Sequence, residues 1–166
     1  MAKSGRTLKV DPILEMLFID IKKGDNEKVI TVLKEKGIDA FDNYKRTALI
    51  NAAFYGNTTL LKWCIENGAN INFQDRGGWS ALHFSAQEGR LDVAQILIEN
   101  KADVNSQNEH GNSIIMTALT NWKGGKNLDM VKLLIKNGAD INQKNKYGVC
   151  ANEMINDELR KQLDLH

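Results

Sequence analysis

Three apolar stripes recur along this chain: "LLKWCI" from Leu60, "VAQILI" from Val93 and "MVKLLI" from Met130. In each, apolar residues fall at helical spacing and one polar or charged residue breaks the run. That pattern predicts a short helix with one buried side. Before each stripe lies a block with small residues, Ala52–Ala53 in "TALINAAFYG" and Ser85–Ala86 in "SALHFSAQEG". Small residues on one side of a helix let a neighbour approach closely. Gly68 and Gly138 follow Asn just past the second stripe-type helix, where glycine tolerates positive φ and closes the helix. The expected unit is therefore a pair of short helices.

The unit repeats. "DNYKRTALINAAFYGNTTLLKWCIENGANINFQ" begins at Asp42, "DRGGWSALHFSAQEGRLDVAQILIENKADVNSQ" at Asp75, "NEHGNSIIMTALTNWKGGKNLDMVKLLIKNGADINQK" at Asn108 and "NKYGVCANEMI" at Asn145, with offsets of 33, 33 and 37 residues. A period near 33 is the mark of stacked repeats, in which each unit completes its core only against its neighbours. The repeat also disposes of an apparent catalytic cluster. Ser80, His83 and Glu88 stand together in "GGWSALHFSAQEG", but the same places hold Thr47, Ile50 and Tyr55 in one sister copy and Ser113, Met116 and Asn121 in the other. A variable filling of a repeated frame is not what a triad requires.

The phrases "TALINAAFYG", "SALHFSAQEG", "NGANIN", "KADVN" and "NGADIN" resemble the ankyrin repeat over residues 11–166. The resemblance implies an all-α repeat solenoid of stacked helix–turn–helix units with β-turn or hairpin connections, and protein binding on the concave face. We divide the chain into a tail, 1–10, and one repeat domain, 11–166. The domain comprises an N-terminal cap unit, 11–41, full repeats at 42–74, 75–107 and 108–144, and a truncated C-terminal cap unit, 145–166. In the first unit Gly24 and Gly37 take the places of Gly56 and Gly68, and Asp20 stands where inner units have Ala or Ser. Terminal units need such polar outer faces. Departures are the missing phrase proline (Ala48, Ala81, Ile114 and Ala151 stand there), Lys101 at a glycine place, Leu119 for a small alanine, and a weak last phrase with Cys150 and Asn152. Four extra residues in the third full repeat are placed at Trp122 to Gly125, between its helices.

Composition narrows the function classes. The 166 residues suit one domain, and 22 basic against 21 acidic residues give a formal net charge of +1. That balance supplies no general pull toward nucleic acid or anionic lipid. No run approaches a membrane span of ~18 apolar residues. Lys3, Arg6 and Lys9 before "ILEMLFIDI" imitate a signal peptide, but Glu15 and Asp20 interrupt the apolar run and "KKGD" replaces a cleavage site. "DPILE" reads instead as a helix start, with Asp11 as N-cap, Pro12 first in the helix and Glu15 placed to help cap. Cys64 and Cys150 are far apart and read as reduced thiols, so the expected compartment is cytoplasmic. The free chain is expected to be a monomer.

The chemistry is sparse. His83, His110 and His166 have no metal-ligand spacing with one another or with the cysteines, so no metal, cofactor or catalytic residue is assigned. "GGKN" at 124–127 lacks the upstream glycine and the following Ser/Thr of a phosphate loop. Cys64 lies in a helix stripe and reads as a buried, inert thiol. A histidine at the place of His83 is implied by the resemblance to make structural hydrogen bonds. Trp63 and Phe84 read as packing, and Lys62 and Lys132 as a solvated outer face.

What remains is surface. The resemblance implies contact residues at the turn tips and on the outward side of each first helix. In this chain those are Tyr44, Arg46, Phe54, Tyr55, Arg76, Trp79, Gln87, Glu88, Glu109, His110, Asn112, Trp122 and Tyr147. Six of the 11 aromatic residues fall in the set, and aromatics and arginine carry most interface energy. Phe54 and Trp79 also suit packing between repeats. The expected function is a non-catalytic module that binds a partner protein, as a stoichiometric inhibitor or adaptor, with binding as the whole activity because almost nothing lies outside the repeats. A narrower alternative is an antitoxin or immunity protein that neutralises a specific toxin or enzyme. The competing class is an enzyme or small-ligand protein with a site at Trp79, His83 and Cys64.

Overall fold

The computed structural model describes residues 11–120 and 127–165. The expected tail 1–10, His166, and the inserted stretch with Asn121 and Trp122 lie outside the described residues. Within them are ten helices: α1 (Pro12–Lys23), α2 (Asn26–Lys36), α3 (Ala48–Tyr55), α4 (Thr58–Glu66), α5 (Ala81–Glu88), α6 (Leu91–Glu99), α7 (Ile114–Thr120), α8 (Leu128–Lys136), α9 (Ala151–Met154) and α10 (Asp157–Gln162). The odd-numbered helices stack in order, α1 on α3, α3 on α5, α5 on α7 and α7 on α9, while α4 packs on α6 and α6 on α8. This is an all-α repeat solenoid with an inner and an outer row.

Close stacking of the inner row follows from its side chains. Ala52, Ala53, Ala81, Ala86 and Ala118 are fully enclosed. The outer row contributes Leu60, Leu61, Cys64, Val93, Leu97, Val131 and Leu134 to the same core. Leu119 is buried despite its size, and Trp63 packs half-buried against the core as its stripe position predicts.

The helix ends match the local chemistry. Asp11 Oδ1 accepts from the Ile13 amide at 3.0 Å, with Pro12 first in α1. Glu15 does not cap α1; its Oε1 accepts from the Asn43 amide at 2.7 Å and holds the first turn tip against the helix. Thr47 and Ser80 cap α3 and α5 through their side-chain oxygens. Outer helices α4, α6 and α8 close on Asn67, Asn100 and Asn137, whose amides donate back to the carbonyls of Trp63, Ile96 and Leu133, each at 2.8 Å. The next residue is left-handed in all three: Gly68, Lys101 and Gly138, at φ 82°, 70° and 87°. On the first unit Asp20, at the place of an inner Ala or Ser, pairs with Lys28 at 2.8 Å.

The connections form a row of fingers. Each opens on the residue that begins the 33-residue phrase, and one side-chain oxygen of that residue accepts two backbone amides. Asp42 Oδ1 takes Tyr44 and Arg46, Asp75 Oδ1 takes Gly77 and Trp79, Asn108 Oδ1 takes His110 and Asn112, and Asn145 Oδ1 takes Tyr147 and Val149, all between 2.8 and 3.1 Å. Asp and Asn suit this local turn bonding. Backbone bonds then stitch finger to finger: Arg76 N to Tyr44 O at 3.0 Å, Glu109 N to Gly77 O at 2.8 Å and Lys146 N to His110 O at 3.1 Å. The close approach requires glycine at the tips, since a Cβ on Gly78 would sit 2.7 Å from Glu109 N and one on Gly111 2.8 Å from Lys146 N.

Candidate partner-binding groove

Between the fingers and the inner helices runs a groove of three depressions in series. The first, about 200 Å³, is bordered by Glu15, Phe18, Asp42, Asn51 and Tyr55 and shares Tyr44 and Arg46 with the second. The second, about 430 Å³, adds Phe54, Arg76, Phe84 and Gln87 and shares Trp79 with the third. The third, about 380 Å³, is formed by Met116, Thr117, Thr120, Tyr147, Val149 and Met154 with the amides of Asn108, Asn112 and Asn145.

An aromatic chain forms the floor and ridges. Tyr55 meets Phe54 edge-on at 4.9 Å between ring centroids, Phe54 meets Phe84 edge-on at 5.8 Å, and Phe84 lies 5.2 Å from Trp79. The Arg46 guanidinium stands 4.7 Å above the Phe84 ring and 5.6 Å from that of Tyr44. Its Nε lies 3.3 Å from Asp75 Oδ2. Cation–π contact and the ion pair together fix a side chain that would otherwise sample many rotamers. Tyr44, between the first two depressions, and Tyr147, at the third, remain 66% and 74% exposed, so large apolar surface is left facing solvent along the groove.

Of the residues expected at a contact surface, Tyr44, Arg46, Phe54, Tyr55, Arg76, Trp79, Gln87, Asn112 and Tyr147 border the groove. Glu88, Glu109 and His110 are exposed but border none of the three depressions; Glu88 accepts from the Gln87 amide at 3.0 Å, and His110 Nε2 lies 3.5 Å from Glu109. Trp122 lies outside the described residues. Phe84 is 4% exposed, so it packs as expected, yet it also floors the groove. Phe18, Asn51, Met116, Thr117, Val149 and Met154 were not in the expected set. The repeat itself carries a signal for some of them. Asn51, Phe84 and Thr117 occupy one place in the 33-residue frame, as do Arg46, Trp79 and Asn112, and every member of both series borders the groove.

His83 lies beneath this surface and is fully buried. The Ser80 amide donates to His83 Nδ1 at 3.2 Å, the Ser80 hydroxyl lies 2.9 Å from the same nitrogen, and Ser80 Oγ accepts from the His83 amide at 3.4 Å. These bonds close a capping box on α5. Burial pushes the imidazole down from 6.5 to about 4, against a smaller opposing pull from the Asn112 backbone, so the ring is neutral at physiological pH. Among the described residues its Nε2 makes no hydrogen bond of ordinary geometry. In the third full repeat Met116 replaces the histidine, and among the described residues Ser113 Oγ has no hydrogen-bond partner. Cys64 is likewise enclosed, and burial lifts its thiol to about 12. Among the described residues no group of three or more His, Cys, Asp or Glu side chains is placed to hold a metal ion, and no helix is long and apolar enough to cross a membrane.

Comparison with known proteins agrees with this architecture. The chain is 32% identical over 100 residues to protein phosphatase 1 regulatory subunit 27 of Mus musculus, a match covering 58% of this chain and 65% of that protein, just under two thirds of its length. It is 34% identical over 83 residues to Notch-regulated ankyrin repeat-containing protein A of Danio rerio, covering 47% of this chain and 74% of the relative. It is 39% identical over 65 residues to protein phosphatase 1 regulatory subunit 12A of Rattus norvegicus, covering 39% of this chain and 6% of the relative. The family model described as ankyrin repeats (3 copies) matches residues 17–108 and 49–145, and with helix pairs, capped inner helices and stitched fingers repeating across that span, the chain belongs to the ankyrin repeat family.

Proposed function

We propose that the chain is a non-catalytic protein-binding module whose partner lies along the concave groove, and that it acts as an inhibitor or adaptor. The observation that carries this reading is the groove: three adjoining depressions ridged by Tyr44, Arg46 and Trp79, with Tyr44 and Tyr147 exposed along it. A standard interface covers ~800 Å² per partner and draws its energy from a few aromatic and arginine anchors. Such residues are concentrated here, on backbone fixed by the finger ladder, so little ordering entropy opposes binding. A site at Trp79, His83 and Cys64 has less support, because the imidazole is neutral and sealed and the thiol is protonated under burial. The regulatory subunits among the relatives make a protein phosphatase one partner class to include in the test.

The test is affinity capture from native lysate, with purified protein phosphatase 1 catalytic subunit as a parallel bait, followed by mass spectrometry. The folded double variant Tyr55→Ala/Trp79→Ala serves as the control. A protein retained by the wild type and lost by the variant supports the reading. Equal recovery on both would place the interface elsewhere.

A further inference from the structure

We propose that the groove selects an extended peptide segment with an acidic side chain over Arg46 and Arg76 and an uncharged apolar side chain in the next depression, beyond Trp79. The inference rests on the groove being the partner site and adds the chemistry of what fills it.

The charge argument starts from which groups are already used. Asp42 and Asp75 are buried and each spends Oδ1 on two backbone amides of its own finger. Asp75 gives Oδ2 to Arg46, and Glu15 gives Oε1 to the Asn43 amide. The carboxylates bordering the first two depressions are therefore committed to holding the fingers. The cations keep donors to spare. Arg76 is exposed and makes no ion pair among the described residues. Arg46 commits Nε to Asp75, and among the described residues its two terminal nitrogens make no hydrogen bond. Two arginines bordering one depression, one of them pre-positioned on the Phe84 ring, suit a carboxylate, which a guanidinium binds with two parallel bonds.

The third depression has the opposite character. Among the described residues no charged side chain borders it. Met116 and Met154 adapt to the shape of an apolar occupant, and Trp79 and Tyr147 supply flat apolar walls. Asn112 accepts from Asn145 Nδ2 at 2.7 Å through Oδ1, while its own Nδ2 makes no hydrogen bond among the described residues. That leaves an amide donor for a backbone carbonyl. An extended chain supplies both such carbonyls and alternating side chains. Stacked helices lie ~8–10 Å apart and a strand rises ~3.3 Å per residue, so the acidic and apolar side chains should be separated by about two to four residues.

A random twelve-residue peptide library displayed on phage, panned against the intact chain, tests this. The expected enrichment is Asp or Glu about two to four residues from Leu, Ile, Met or Phe. Arg76→Glu, whose exposed side chain holds no finger together, should abolish the acidic preference and weaken the best synthetic peptide at least about tenfold. Val149→Arg should weaken the same peptide through the apolar position. Thermal melts confirm that both variants fold. Enriched peptides that bind Trp79→Ala poorly but carry no acid, or that ignore Arg76→Glu, overturn the charge assignment and leave the groove as partner site. Absence of any enriched family overturns the peptide inference, while lysate capture against the Tyr55→Ala/Trp79→Ala control still decides the groove.

Discussion

Arg46 Nε lies 3.3 Å from Asp75 Oδ2 and joins the first finger to the second. The pair is asymmetric. Asp75 is buried and also accepts the Gly77 and Trp79 amides at 2.9 Å each, whereas Arg46 is partly exposed and lies over the Phe84 ring. Asp75 is the structural member, and Arg46 is the one still able to meet a partner.

That asymmetry gives a stability prediction. Asp75→Ala removes an acceptor from two part-buried backbone amides as well as the partner of Arg46, and should cost about 2–3 kcal/mol. Asp75→Asn keeps the Oδ1 acceptor, as Asn108 and Asn145 do in later fingers, and should recover most of that loss. Urea unfolding of both variants at unchanged slope is the measurement. Equal midpoints for the two would show that the ion pair, not the turn bonding, matters most.

Lys101 offers a change in the other direction. It holds φ 70° where Gly68 and Gly138 hold 82° and 87°, and it is exposed. A side chain in left-handed backbone is strained, and glycine is not. Lys101→Gly should stabilise the fold by roughly 0.5–1 kcal/mol, even after the greater freedom glycine brings to the unfolded chain. A lower denaturant midpoint in the variant would contradict this.

The repeat period, the two-helix rhythm, the closing glycines, and the strain at Lys101 were all legible in the sequence, because each rests on a local rule applied at a repeated place. The groove was legible in part. Tyr44, Trp79 and Tyr147 follow from their finger-tip positions, whereas Phe84 reads as packing and Met116 sits at the place of the buried Ile50 and His83. Their second role depends on how far one finger leans over the next, a tertiary property. The Arg46–Asp75 pair joins neighbouring repeats 29 residues apart, and no local rule links them. Glu15 shows the same limit, since its helix-start position suggests a cap while its carboxylate reaches the Asn43 amide.

His83 makes stability depend on pH in a defined direction. Its folded pKa is about 4 against an ordinary 6.5, so between those values the unfolded chain binds a proton that the folded chain does not. Stability from the neutral ring is therefore fully present above about pH 6.5 and is lost as pH falls toward about 4, by roughly 3 kcal/mol in all. Carboxylates titrate in the same range, so the informative quantity is the difference from a variant. His83→Gln should be clearly less stable than wild type at pH 7.5, and the gap should shrink by about 2 kcal/mol at pH 4.5. A gap that stays constant would mean that His83 does not titrate as its burial requires.

The decisive prediction compares the two faces of the solenoid. Tyr55 borders the first depression, and Trp79 separates the second from the third. Lys62 and Lys132 are exposed on outer helices α4 and α8. If the partner lies in the groove, Tyr55→Ala and Trp79→Ala should each weaken the captured complex by about 2 kcal/mol or more, as truncated aromatic anchors do. Trp79 also packs on Phe84 and His83, so part of its effect could reach stability, and each variant must be shown to be folded first. Charge reversal at Lys62 or Lys132 should change affinity by less than about 0.5 kcal/mol at physiological salt, because an isolated exposed charge is screened. Calorimetry on the four variants separates the outcomes. Loss of binding with the lysine changes alone moves the interface to the outer helices. Loss with Trp79→Ala but not Tyr55→Ala confines it to the two larger depressions, where Arg76 and Met116 lie.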